Sequence, residues 1–94
     1  MQKNELWEEI KEVTLNILAA HKIKLVDIAY RKEGKAKILR ILADTETGIT
    51  MGECAKMNKL IGEALDEKSL IDEHYILEVS SPGPEGRSGQ NNGV

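Results

Sequence analysis

The run Lys37–Asp44 (Lys-Ile-Leu-Arg-Ile-Leu-Ala-Asp) constrains this chain most. Its composition is that of a β-strand, and Ile38, Leu39, Ile41 and Leu42 place apolar side chains on both of its faces. Such a strand favours a central position in a sheet. Upstream, Leu25–Lys32 reads as a second strand, and Glu33-Gly34 between the two runs marks a hairpin turn. A two-residue turn at Glu33-Gly34 sets Val26 opposite Ile41, Asp27 opposite Arg40 and Ile28 opposite Leu39. A four-residue loop shifts the pairing by two and leaves every side chain on its face. Either way one face collects Val26, Ile28, Leu39 and Ile41. The other collects Asp27, Ala29, Arg31, Ile38, Arg40 and Leu42.

Helical periodicity flanks the hairpin. From Asn4 to about His21, Leu6, Ile10, Val13 and Ile17 recur on one face, widened by Trp7 and Leu18. Asn4 is the candidate N-cap, and no glycine marks the C-terminus. Thr50-Met51-Gly52-Glu53 has the capping-box pattern. It opens a second helix striped by Cys54, Met57, Ile61, Ala64 and Leu65, which fades near Asp66–Ser69. Tyr75–Ser80 alternates as a third strand, with Leu77 and Val79 on one face and Ile76 and Glu78 on the other. Pro82 ends it, because proline cannot donate to a ladder. The order α-β-β-α-β predicts an α+β, two-layer domain, with a three-stranded sheet covered by two helices on one face. The second face is left open, with Ala29, Ile38, Leu42 and Ile76 among Asp27, Arg31, Arg40 and Glu78. A half-apolar face with charges fits a docking surface, and equally the scattered aliphatics of a small open sheet.

Composition narrows the function classes. Ninety-four residues allow one domain and one modest core. With one Trp, two Tyr and no Phe, that core is built of Leu, Ile and Val. A single Cys excludes an intrachain disulfide framework or a CxxC pair. The first residues resemble no secretion signal and no window has the length of a membrane span, so a reducing cytoplasm is the expected compartment. A net charge of −3 argues against a freestanding nonspecific nucleic-acid binder. No Walker loop, GxGxxG, HExxH or nucleophile elbow is present, and no cofactor, metal or small-molecule substrate is expected. Cys54 reads as a small apolar core residue, although a place near a helix N-terminus lowers a thiol's pKa. His21 and His74 have no ligand-like spacing. Gly83-Pro84-Glu85-Gly86 matches the letters of the nucleotide-clamping GxxG of KH domains, but it follows a strand and lacks basic residues at its centre. Arg31, Lys32, Lys35, Lys37 and Arg40 cluster around the hairpin, with Lys22 and Lys24 at its base. They form the one basic region of an acidic chain, either an anion-recognising surface or charges that blunt edge strands.

Three stretches resemble the ribosome maturation factor RimP family of bacteria. They are Leu25-Val26-Asp27-Ile28-Ala29-Tyr30, Gly48-Ile49-Thr50-Met51-Gly52-Glu53-Cys54-Ala55, and Tyr75-Ile76-Leu77-Glu78-Val79-Ser80-Ser81-Pro82-Gly83. The resemblance covers residues 1–83 and implies an N-terminal α/β domain of KH-like appearance without a working GxxG. It also implies a noncatalytic role, binding the immature small ribosomal subunit and assisting its maturation. The family's second domain, an SH3-like β-barrel, has no counterpart in these 94 residues, and Pro84-Glu85-Gly86-Arg87-Ser88 departs from the family's usual continuation. Residues 84–94, rich in Gly, Ser, Asn and Gln, are expected to be a disordered tail.

The leading expectation is therefore an assembly-factor domain whose partner is the small subunit or its precursor, through ribosomal RNA and ribosomal protein. Its contact residues would be Arg31, Lys32, Lys35 and Lys37, with Arg40 partly structural, held by Asp27 or Glu78 across the sheet, and Ile38 on the open face. Alternatives are a freestanding RNA-binding domain and a self-associating domain that hides its open face.

Overall fold

The computed structural model describes residues 3–71 and 73–82. Helix α1 (Lys3–Ala20) leads into strands β1 (Lys24–Glu33) and β2 (Ala36–Asp44), then helix α2 (Met51–Glu67) and strand β3 (Ile76–Ser80). This is the expected α+β order. Helix α1 already includes Lys3, so Asn4 lies inside the helix and not at its cap.

Helix ends follow from local chemistry. Thr50 Oγ1 accepts from the Glu53 amide at 3.0 Å, and the Thr50 amide donates to Glu53 Oε1 at 2.8 Å, closing the capping box that opens α2. Both helices stop in the same way, without glycine. At the end of α1 the Ile23 amide reaches the Leu18 carbonyl and the Lys22 amide reaches Ala19. At the end of α2 the Leu70 amide reaches Leu65 and the Ser69 amide reaches Asp66. These are Schellman motifs, and their left-handed position is filled by Lys22 (φ 61°) and Ser69 (φ 52°). Each motif joins two buried apolar residues across the stop, Leu18 to Ile23 and Leu65 to Leu70. That contact ends each helix where no glycine signals it.

β1 and β2 pair antiparallel, and β3 pairs parallel to β2, giving the order β1-β2-β3. The doubly apolar β2 is central, as its sequence predicts. Ile28 faces Ile41, Ala29 faces Arg40, and Glu33 faces Ala36 across a Gly34-Lys35 turn. This is the register shifted by two from a Glu33-Gly34 turn. The turn moves because Gly34 takes φ 62°, which places the glycine first of the two central residues. Faces are conserved through the shift until the register breaks between Leu25 and Asp27. This one-residue bulge reverses the expected placement of Val26. Leu25 packs against the core in its place, and Val26 is 47% exposed.

The core lies between the helices and the inner sheet face. Leu39, Ile41 and Ala43 of β2 are fully buried against Ile10, Val13 and Leu18 of α1 and Met57, Ile61 and Leu65 of α2. Ile28, Tyr30, Leu77 and Val79 complete it from the flanking strands. Thr14, polar and fully buried, donates its hydroxyl to the Ile10 carbonyl at 2.9 Å. Asn58 of α2 donates to the Leu77 carbonyl at 3.0 Å, tying the helix to β3. Cys54 is half-buried, less enclosed than its place on the stripe predicts. The expected tail and the Gly83–Gly86 motif lie outside the described residues.

Candidate functional site

The hairpin carries four cations between residues 31 and 37 against one carboxylate, Glu33. Strand alternation separates them. Arg31 is exposed on the open face, opposite Ile38. Lys32 and Lys37 face each other on the opposite side, and Lys35 is exposed in the turn. Directly opposed like charges repel. Lys37 is relieved by Glu73, whose Oε1 accepts from Lys37 Nζ at 2.8 Å. The second oxygen of the same carboxylate accepts from the Tyr30 hydroxyl at 2.7 Å.

On the open face Arg40 donates to Glu78 of the neighbouring strand at 2.6 Å, the pair that their register places side by side. The Glu78 hydrogen bond and charge raise the guanidinium pKa further above its already high value. Ala29, Ile38 and Leu42 are half-buried around this pair, and Ile76 is 49% exposed. Among the described residues no aromatic lies on the open face. Tyr30 and Tyr75 pack against the core on the other side, and Trp7 belongs to α1. The face therefore offers apolar contact and no stacking platform for bases.

The sequence-selected residues thus form three sets. Arg31, Lys32 and Lys35 are exposed and make no ion pair among the described residues. Lys37 and Arg40 are engaged by carboxylates, and Ile38 sits on the open face. Of the two carboxylates the sequence offers Arg40, Asp27 and Glu78, the structure selects Glu78. Glu73 is not foreseeable from the sequence, because it is 36 residues from Lys37 and carries no local signal.

Elsewhere, burial pushes the Cys54 thiol pKa up, with Glu53 and Asp44 adding to the effect. Desolvation, then Asp66, raises Tyr75. Among the described residues no three His, Cys, Asp or Glu side chains gather to hold a metal ion. No helix among them is long and apolar enough to cross a membrane.

A three-stranded mixed sheet with helices on one face, an open second face and a cationic hairpin defines a small α+β domain. The family model of the RimP N-terminal domain matches residues 14–85, from the middle of α1 through β3. The chain belongs to that family, whose role is ribosome maturation.

Proposed function

We propose that this chain is a noncatalytic docking factor in maturation of the small ribosomal subunit, acting in the cytoplasm on the immature particle. It meets ribosomal RNA phosphate with the cationic hairpin, through Arg31, Lys32 and Lys35. The open face around Ile38 lies against ribosomal protein or RNA backbone, with Arg40 serving mainly to brace the sheet. The observation that carries this reading is the family match, joined to a hairpin that concentrates unpaired cations on an otherwise acidic chain. Phosphate is the commonest anion on such a particle, and arginine and lysine suit its contacts.

The test is sedimentation of the tagged chain in a cell extract. It should travel with small-subunit precursors, and rising salt should release it. A chain that stays at the top of the gradient at low salt refutes the proposal. Equal, strongly salt-dependent affinity for free RNA without ribosomal particles supports a freestanding RNA-binding domain in its place.

A further inference from the structure

Six cations sit on the two strands and turn of the hairpin (Lys24, Arg31, Lys32, Lys35, Lys37 and Arg40), yet the structure treats them unequally. Glu73 stands in the segment between α2 and β3, outside the hairpin, and spends both oxygens on it. One accepts from Tyr30 on β1, the other from Lys37 on β2. A single carboxylate therefore bridges both strands close to the turn. Tyr30 lies three residues before Glu33 and Lys37 one residue after Ala36, the pair that closes the turn. Beyond this bridge the described tip is held by the β1–β2 ladder, up to Glu33 and Ala36, and Arg31 through Lys35 are all exposed.

We propose that Glu73 is the positioning residue of the hairpin interface, fixing the direction of the tip and withdrawing Lys37 from contact with the partner. This rests on the docking reading above and deepens it. The partner's chemistry is a phosphate backbone, and the contact set is Arg31, Lys32 and Lys35. The physical argument is one of charge and geometry. A lysine already neutralised at 2.8 Å contributes little when a phosphate displaces counterions, whereas an unpaired exposed lysine contributes close to one. A tip held at two points on separate strands also loses less conformational freedom on binding than a free one.

Two independent readouts test it. The first is the slope of log affinity against log salt for small-subunit precursors. Lys35→Gln should lower its magnitude by about 0.7–0.9, the value of one phosphate contact. Lys37→Gln should leave it unchanged. Glu73→Gln keeps an oxygen for Tyr30 but releases Lys37, and should increase the slope by about the same 0.7–0.9. A Lys37→Gln loss equal to that of Lys35→Gln overturns the withdrawal of Lys37. The second readout is amide order by NMR relaxation on the free chain. Glu73→Ala and Tyr30→Phe should both lower order at residues 33–36 and leave β3 unchanged. An unchanged tip overturns the positioning role. Failure of the parent chain to bind precursors refutes the docking reading, and the relaxation result still decides whether Glu73 positions the tip.

Discussion

Ile41→Ala, compared with Val26→Ala, tests how the chain divides its two sheet faces. Ile41 is fully buried at the centre of β2, enclosed by both helices. The substitution removes three carbons, about 2.4 kcal/mol at roughly 0.8 kcal/mol per buried methylene. A cavity term adds to this because helices on one side and flanking strands limit collapse, giving a total of about 2–5 kcal/mol. Val26 loses two carbons at a site already 47% exposed, which is worth under about 1 kcal/mol with no cavity. For a domain of this size 1 kcal/mol moves Tm by about 4–8 °C, so a loss near 3 kcal/mol lowers it by roughly 12–24 °C. Urea and thermal unfolding followed by circular dichroism at matched protein concentration read the difference. Equal losses from the two variants, or a larger one from Val26→Ala, refute the bulge and with it the assignment of faces.

Three further outcomes follow from the helix ends and the thiol. Lys22→Gly and Ser69→Gly should each stabilise by about 0.5–1 kcal/mol, because left-handed backbone costs an L-residue about 1–2 kcal/mol and glycine's extra unfolded freedom returns part of that. A loss of stability in both would show that the left-handed turns carry no strain. Thr50→Ala should cost about 0.5–2 kcal/mol in urea unfolding, since it opens the capping box; a change indistinguishable from zero would contradict the bond's contribution. Cys54 should react slowly with iodoacetamide at neutral pH. Its folded pKa lies above its unfolded one, so the unfolded state ionises first and stability declines as pH rises above the ordinary thiol range. Rapid native-state labelling, or stability rising with pH there in a Cys54-dependent way, would contradict the raised pKa.

Most of the fold was legible because local signals agreed with one another. The double apolarity of Ile38, Leu39, Ile41 and Leu42 gave the central strand, Thr50 and Glu53 gave the cap, and the alternation of Leu77 and Val79 gave the inner face of β3. The failures share a cause, which is dependence on contacts distant in sequence. Leu25 and Val26 are both apolar, so nothing local says which one the bulge turns inward. The helix stops depend on Leu18 meeting Ile23 and Leu65 meeting Leu70, contacts that override the cost of a left-handed lysine or serine. Of the site, the cationic cluster was legible in residues 31–40, whereas Glu78 stood beside Asp27 as a partner for Arg40 until the β2–β3 register selected it. The bridge from Glu73 to Tyr30 and Lys37 was not legible, because the segment before β3 has no periodicity to place a side chain.

The most direct measurement is co-sedimentation of three proteins with small-subunit precursors: the parent chain, a Lys32→Glu/Lys35→Glu double variant and an Ile38→Asp variant. Circular dichroism and unfolding midpoints confirm that each is folded before it is compared. The account predicts that the charge-reversed double variant unfolds at nearly the parent's midpoint and dissociates from precursors at markedly lower salt. It is contradicted if that variant binds as well as the parent while Ile38→Asp abolishes binding, which would transfer the interface from the hairpin to the open sheet face.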